Sequence, residues 1–206
     1  MTEDSISKIK AICVYCGSSP GTDPAFAKAA RDFGQILAEN GIRLVYGGGS
    51  IGLMGALAGS VIEHGGVATG IIPEFLTAKE KPRRGAADLI VTQDMHERKW
   101  KMFELADAFV ALPGGIGTLE ELVEQLTWLQ LGHHKKPVLL ANINSFWNPL
   151  IEIIEHMQSL GFIHSERRFG YLTADRVEDI MPRLAAYFAE IHPKLRRDQK
   201  KVIERL

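Results

Sequence analysis

The sequence has little of several features that would assign a protein to a specialised class. Only two of its 206 residues are cysteine, too few for the disulfide framework of a small secreted domain. No apolar run approaches 18 residues, so we expect no membrane-spanning helix. Lys and Arg number 24 against 25 Asp and Glu, which leaves no basic excess for binding nucleic acid. With 46% hydrophobic residues, the composition instead predicts a soluble globular protein.

The two cysteines, Cys13 and Cys16, are spaced as C-x-x-C, a pattern found in redox and metal sites. They lie in the apolar run "IKAICVYC", which predicts a β-strand. Residues three apart in a strand point to opposite faces of the sheet. We therefore expect two separate buried thiols rather than a functional pair.

The ends of the chain are polar. The segment "MTEDSISKIK" has no apolar region typical of a signal peptide, so we expect a cytoplasmic location. From about residue 191 the chain is basic, ending in "KLRRDQKKVIERL". This pattern favours a solvated terminal helix or a subunit contact over a nucleic-acid patch. No linker or low-complexity segment interrupts the sequence, so residues 1–206 are expected to form one domain.

Apolar strand patterns alternate with helical periodicity along the chain. Strands are predicted at 9–15, 43–46, 67–72, 89–91, 108–112 and 138–141. Helices are predicted at 24–40, 52–64, 94–107, 119–131, 148–159 and 176–190, the first with Asp23 as its N-cap and Pro24 at its first position. The charged segment 73–88 predicts a long functional loop. This order predicts an α/β, Rossmann-like, doubly wound parallel sheet flanked by helices.

Ligands of such sheets bind at the carboxyl ends of the strands, where two glycine-rich segments are predicted. The first, "GGGSIG" at 47–52, fits the G-x-G-x-x-G pattern of dinucleotide sites but follows the second strand rather than the first. The nearest acid at the expected distance, Glu74, lies in a loop. We therefore favour a close backbone approach to a ligand or to the neighbouring phosphate loop over a dinucleotide site.

The second glycine-rich segment is "PGGIGT" at 113–118. It lacks the G-K-[ST] ending of an ATPase loop, but its glycines would allow several N–H groups to point at one anion near a helix N-terminus. A single monophosphate would suit it.

Several side chains near these loops leave their roles open from spacing alone. Thr118 and Glu121 fit a capping box, in which both residues would serve only the helix end. Arg98 and Lys99 would belong either to a solvated face or to an anion clamp. His96-Glu97 does not extend to H-E-x-x-H, because residue 100 is Trp100. No set of residues has convincing metal-ligand spacing.

The segments "MHERK" at 95–99 and "LPGGIGTLEEL" at 112–122 resemble the LONELY GUY family, which is also catalogued as possible lysine decarboxylases. The family pattern P-G-G-x-G-T-x-x-E matches Pro113 to Glu121 at every fixed position. The segments at 13–19, 44–55 and 127–138 are also similar to the family, and the resemblance covers roughly residues 10 to 180 in order.

The resemblance implies a Rossmann-like homodimer that hydrolyses the N-glycosidic bond of AMP or of N6-prenylated (cytokinin) riboside 5′-monophosphates, with no metal or organic cofactor. It places the family's catalytic arginine and glutamate on Arg98 and Glu121. The implied substrate contacts are Ser18, Glu80, Met95, Lys99, Gly114, Gly115, Ile116, Gly117, Thr118 and Thr127.

This reaction passes through a transition state in which the sugar carbon is positive, which a nearby carboxylate would stabilise. Lysine decarboxylation would need pyridoxal phosphate on a lysine, and no lysine lies in a sequence context typical of that linkage. A non-catalytic alternative is a nucleotide-binding module similar to molybdenum-cofactor carriers, in which Glu121 would have only its capping role.

Overall fold

The computed structural model describes residues 9–80, 88–163 and 170–190, with the side chains of all of these except 78–80. The strands are β1 Ala11–Tyr15, β2 Arg43–Tyr46, β3 Ala68–Pro73, β4 Asp88–Thr92, β5 Ala108–Ala111, β6 Val138–Ala141 and β7 Leu172–Ala174. The helices are α1 Pro24–Glu39, α2 Gly52–Glu63, α3 Glu74–Glu80, α4 Met95–Leu105, α5 Ile116–Gln130, α6 Asn148–Ser159 and α7 at 180–190. Short 3-10 turns cover Ile143–Ser145 and Val177–Asp179.

The strands form one parallel sheet in the order β4-β3-β2-β1-β5-β6-β7. The chain builds the sheet outward from β1 to β4, then returns to add β5 on the other side of β1. The strand order therefore reverses between β1 and β5, and the loops after these two strands diverge and leave a crevice. This arrangement confirms the predicted doubly wound α/β fold.

The two faces of the sheet are covered by different helices. On one face, Ile12 and Val14 of β1 pack with α1, α2 and α7. On the other face, Cys13 and Tyr15 pack with α4, α5 and α6. Cys16 belongs to the first of these clusters, so the two thiols lie on opposite faces, as predicted. Burial raises the pKa of both thiols, which keeps them neutral.

Helix α1 shows how local signals set the element ends. Asp23 Oδ1 accepts a hydrogen bond from Ala25 N–H at 2.8 Å, and Pro24 occupies the first helical position. Gly41 follows the helix with φ of 65°, a conformation that costs little only for glycine. The predicted start and end of this helix are confirmed.

Three parts of the fold differ from the prediction. Strand β7 was not predicted, since it has only three residues at the sheet edge and two of them are half-buried. The predicted loop 73–88 contains helix α3 and the first residue of β4, while residues 81–87 lie outside the described part. Helix α5 begins at Ile116, three residues before the predicted start. Across the described ranges, no helix has the length and apolar character needed to cross a membrane.

Gln125 on α5 is a polar residue buried in the apolar core. Its side chain is fully buried, and neither its Oε1 nor its Nε2 finds a hydrogen-bond partner among the described residues. Because an unpaired buried amide costs about 1–3 kcal/mol, we expect Gln125→Met to raise the free energy of unfolding by about 1 kcal/mol or more. Urea denaturation measures the change. Gln158→Met, at an exposed position on α6, is the control and should have little effect. A loss of stability in Gln125→Met would contradict the prediction.

Candidate active site

The candidate site lies at the crevice between the carboxyl ends of β1 and β5. The two strand-ending loops are joined by a hydrogen bond from Gly17 N–H to the Pro113 carbonyl at 3.1 Å. A second bond runs from Leu112 N–H to the Tyr15 carbonyl at 3.0 Å. A cavity of about 410 Å³ opens beside them. The fold therefore places the cavity where a doubly wound sheet binds its ligands.

Eight of the predicted site residues come together around this cavity. They are Ser18, Met95, Arg98, Gly115, Ile116, Gly117, Thr118 and Glu121. They come from three separate segments of the chain: the loop after β1, helix α4, and the loop and first turns of α5. Their convergence could not be deduced from spacing within any one segment.

A buried ion pair occupies the inner wall of the cavity. Arg98 Nη1 donates a hydrogen bond to Glu121 Oε1 at 2.5 Å, and each residue is only 8% exposed. Arg98 Nε also donates to the Ile71 carbonyl within β3, at 3.0 Å. The guanidinium is thus held from two sides, by the sheet and by α5. The contact fixes the position of the Glu121 carboxylate at the cavity wall.

Burial raises the pKa of the Glu121 carboxyl, and the positive charge of Arg98 opposes that rise. The neighbouring Glu120 raises this pKa further, while Lys99 lowers it. A carboxylate in this environment is a stronger base than one in water. It is suited to accept a proton or to stabilise a positive charge that develops in the cavity.

The capping box, one of the roles that the spacing of Thr118 and Glu121 left open, does not form in the structure. Helix α5 takes Gly115 as its N-cap residue and has no side-chain capping bond, so Thr118 lies inside the first turn. Thr118 packs against Gly114: a Cβ atom added to Gly114 would lie 2.2 Å from Oγ1 of Thr118. Glu121 is then too far along the helix to reach the N-cap, and its carboxylate meets Arg98 instead.

The glycine loop leaves open space at the N-terminus of α5. For Gly115 and Gly117, an added Cβ atom would meet no described heavy atom within 4 Å. The N–H groups of the first helical turn have no partner within the helix, and the helix dipole makes this end electropositive. The loop therefore has the properties of an anion site, three residues before the Glu121 carboxylate.

The second glycine segment, 47–52, makes close contacts that explain its composition. A Cβ atom at Gly52 would lie 2.3 Å from the carbonyl of Ser18, and one at Gly47 would lie 2.5 Å from Nη2 of Arg98. Gly52 therefore lets α2 approach the loop after β1, and Gly47 makes room for the guanidinium. The segment does approach other parts of the chain closely, as expected, but its partners are the loop after β1 and Arg98 rather than the phosphate loop.

Three predicted contacts lie elsewhere, and the side chain of a fourth is not described. Gly114 supports Thr118 and lines a neighbouring pocket rather than this cavity. Lys99 does not line the cavity, and its ammonium binds Glu120 and Glu124. The hydroxyl of Thr127 donates to the Val123 carbonyl on the exposed side of α5. The side chain of Glu80 lies outside the described residues. Substrate contact by these four residues stays a prediction.

The cavity also has lining residues that the sequence did not indicate. Leu76 of α3 and Met54 of α2 add apolar surface, and Tyr15 and Cys16 line it at the end of β1. Leu76 was missed because its segment was predicted as a loop. For Tyr15 the sequence did contain a usable signal. It is the last residue of the first strand, and ligands of such sheets bind at the carboxyl ends of the strands. Within the described ranges, no three His, Cys, Asp or Glu side chains come together as in a metal site.

The fold and the site define a Rossmann-like protein with a buried Arg–Glu pair beside a glycine-rich anion loop. The sequence model of the family described as possible lysine decarboxylase matches residues 54–184. The chain is 44% identical over 184 residues to the cytokinin riboside 5′-monophosphate phosphoribohydrolase LOG of Oryza sativa subsp. japonica, covering 89% of this chain and 76% of that one. It is also 44% identical over 170 residues to the phosphoribohydrolase of Rhodococcoides fascians, covering 82% and 86%. The protein belongs to this family.

Solved structures with the same architecture include two molybdenum-cofactor proteins. The carrier protein from Chlamydomonas reinhardtii has a TM-score of 0.65 and 22% identity, over 88% of this chain and 98% of that one. The molybdenum-cofactor-binding protein of Rippkaea orientalis has a TM-score of 0.64 and 22% identity, over 86% and 96%. At this level of identity the likeness shows the fold alone.

The contact between Gly47 and Arg98 gives a direct test of how the ion pair is placed. An added methyl group in Gly47→Ala would fall 2.5 Å from Nη2, closer than a methyl carbon can approach a nitrogen atom to which it is not bonded. Since a displacement of about 1 Å in an active site costs up to about 100-fold in rate, we expect at least a tenfold loss of activity. Steady-state kinetics and thermal unfolding measure the effect, and full activity in a folded variant would show that the pair tolerates displacement.

Proposed function

We propose that the protein hydrolyses the N-glycosidic bond of adenosine-type 5′-monophosphates, AMP or its N6-prenylated analogue, releasing the free base and ribose 5-phosphate. The proposal depends on one observation, the ion pair between Arg98 and Glu121 next to an open glycine loop. Both residues are buried, each with only 8% of its surface exposed. The names of the curated relatives, which are phosphoribohydrolases acting on cytokinin riboside 5′-monophosphates, support the same reaction.

The spacing along α5 supports the way in which the substrate would bind. The phosphate would occupy the N-terminus of the helix, where Gly115 and Gly117 leave open space. Glu121 follows Thr118 by one turn, about 4.5 Å along the helix axis. A ribose ring spans a similar distance between its 5′-phosphate and C1′. Binding of the non-reacting phosphate would therefore present C1′ to the Glu121 carboxylate.

In the reaction, the bond between C1′ and the base nitrogen breaks, and its electron pair leaves with the base. The base takes up one proton, which is balanced by the proton that the attacking water loses. C1′ becomes positive in the transition state, and Glu121 stabilises that charge or takes a proton from the attacking water. The water oxygen forms the new bond to C1′. Arg98 holds one oxygen of the carboxylate and leaves the other available to the cavity.

The strand order supports a direction for the base. The phosphate loop follows β5, and the cavity extends past β1 and β2 to Leu76, which follows β3. Three strand spacings correspond to about 14 Å, which is close to the length of a nucleotide. Leu76 and Met95 would then form an apolar wall against the base and any N6 substituent.

Glu121→Gln tests the chemical role of the carboxylate. The amide keeps the shape but cannot carry the negative charge, so we expect AMP binding to persist and base release to fall by at least about 100-fold. Calorimetry measures binding, and chromatography measures free adenine. Glu104→Gln, an exposed position on α4, is the matched control and should keep normal turnover. Near-normal turnover in Glu121→Gln would defeat the proposed mechanism.

Lysine decarboxylation, the activity suggested by the family's description, finds no support in the site. No lysine side chain lines the described wall of the cavity. Lys99, next in sequence to Arg98, is held by two carboxylates and is 13% exposed at its side chain. A lysine that forms a Schiff base needs a free, neutral amine.

For the assembly, we propose a homodimer formed through the outer face of α5. An exposed stripe runs along this helix with helical spacing, through Ile116, Glu120, Val123, Thr127 and Leu131. Ile116 and Leu131 are 82% and 69% exposed, and the neighbouring Trp100 of α4 is 46% exposed. An exposed surface with large apolar residues of this kind next to the cavity is typical of an interface. Burial of the stripe by a second copy would bring Thr127 close to a cavity.

A charge placed on this stripe tests the dimer. Val123→Glu would bury an unpaired carboxylate at the proposed interface, so we expect the protein to become monomeric. Sedimentation velocity measures the mass. Ile153→Glu, at an apolar position on α6 that is 53% exposed, is the matched control and should leave the mass unchanged. A wild-type protein that sediments as a monomer would contradict the proposal.

A further inference from the structure

A second cavity, which we call the side pocket, adjoins the catalytic cavity at the phosphate loop. Its volume is about 200 Å³, and its walls come mainly from the loops after β1 and β5, from α1 and from the turn after β6. Gly17, Ser18 and Gly115 line both cavities. A ligand in the side pocket would therefore lie next to the phosphate site without taking the place of the nucleotide.

Two aromatic rings form part of the wall of the side pocket. Phe26 of α1 and Phe146, which follows β6, stand edge to face, with ring centroids 5.6 Å apart and an interplanar angle of 79°. Both side chains are half-buried. Because aromatic rings prefer stacked or edge-to-face neighbours, a wall of this kind favours a flat, aromatic ligand.

The turn that carries Phe146 has an unusual backbone. Asn144 and Ser145 have φ values of 50° and 61°, in the left-handed region that residues other than glycine rarely adopt. Asn144 Nδ2 donates a hydrogen bond to Asp23 Oδ2 at 2.8 Å. Since Asp23 is the N-cap of α1, this bond ties the turn to the helix that carries Phe26. The two rings are thus held in place before a ligand binds, which lowers the entropic cost of binding.

The side pocket is uncharged. None of the described residues that line it has an ionisable side chain, whereas the catalytic cavity has Arg98 and Glu121 on its wall. Its polar groups are the hydroxyls of Ser18 and Ser19 and the backbone of the glycine segments, which supply neutral donors and acceptors. Because a charged ligand would lose hydration there without meeting a counter-charge, the pocket favours a neutral ligand.

The volume of the side pocket suits a small ring system. A cavity of about 150 Å³ holds benzene. At about 200 Å³ the side pocket has room for a purine, which has two fused rings with nitrogen atoms along their edges. AMP and ribose 5-phosphate are anions, whereas the base released in the proposed reaction is neutral and planar. The base therefore matches the pocket in size, shape and charge.

We propose that the side pocket is a second binding site for the free purine base, which it holds beside the phosphate loop while a nucleotide occupies the catalytic cavity. This role rests on the proposed function, which makes the base a product of the reaction. Ser18 and Gly115 belong to both cavities, so they connect the bound base to the phosphate site. Any effect of the base on the affinity for AMP is matched by an equal effect of AMP on the affinity for the base.

Calorimetry with adenine tests the second site in the full-length Glu121→Gln protein, which we expect to bind AMP without cleaving it. One adenine should bind per chain at saturating AMP, because AMP fills only the catalytic cavity. Adding Phe26→Leu or Phe146→Leu should weaken this binding by about threefold or more, since each change removes an aromatic wall and keeps an apolar side chain. Phe162→Leu, at a position that is 77% exposed, is the matched control and should leave the affinity for adenine unchanged.

Two results would overturn the proposal without the phenylalanine variants, including in a case where these variants failed to fold. They are the loss of adenine binding at saturating AMP, which would show a single shared site, and the lack of adenine binding with and without AMP. Adenine binding that is unchanged in folded Phe26→Leu and Phe146→Leu variants would also contradict it. The proposed function fails separately, if the wild-type protein releases no base from AMP. Adenine binding that depends on Phe26 and Phe146 would still support the site in that case.

Discussion

The buried contact between Arg98 and Glu121 is the interaction on which the site depends. Either charge alone at this depth would cost several kcal/mol, so each is tolerated only because the other is present. The guanidinium also needs the Ile71 carbonyl as a second acceptor and the missing side chain of Gly47 as space. These requirements tie β2, β3, α4 and α5 to one geometry. A change in any of them alters the position of one carboxylate.

The topology explains why these elements meet. In a parallel sheet all carboxyl ends lie on one edge, and the reversal of strand order between β1 and β5 separates the loops that follow them. The two glycine segments then have different tasks. The loop after β5 leaves open space around Gly115 and Gly117, whereas the segment after β2 packs against Ser18 and Arg98. The G-x-G-x-x-G pattern at 47–52 is therefore explained by close packing within the protein.

Much of the fold could be predicted because its signals are local. Asp23, Pro24 and Gly41 mark the ends of α1, and continuous apolar runs mark the central strands. Strand β7 was not predictable in the same way, since a short edge strand with half-buried side chains has no strong pattern. Helix α3 was not predicted because it lies in a charged, Pro-containing segment, a composition that favours a loop.

The site was less predictable from residues alone because spacing does not distinguish a capping glutamate from a buried one. The sequence Thr118-x-x-Glu121 fits both, and the choice depends on a partner 23 residues away. For Arg98 a usable signal existed. It lies three residues after Met95 and four before Met102, on the same face of α4 as these apolar residues, whereas Lys99 lies off that face.

The tryptophan residues beside the α4–α5 contact affect the intrinsic fluorescence of the protein. Trp100 and Trp128 lie with ring centroids 6.1 Å apart, one on each helix, and Trp100 is 46% exposed. The third tryptophan, Trp147, is buried at 3% exposure, with its N–H bonded to the Ala111 carbonyl at 3.1 Å. The chain thus contains a solvent-sensitive pair of fluorophores, one on α4 and one on α5, and a shielded one in the core. Its intrinsic emission distinguishes a local separation of these helices from unfolding of the whole sheet.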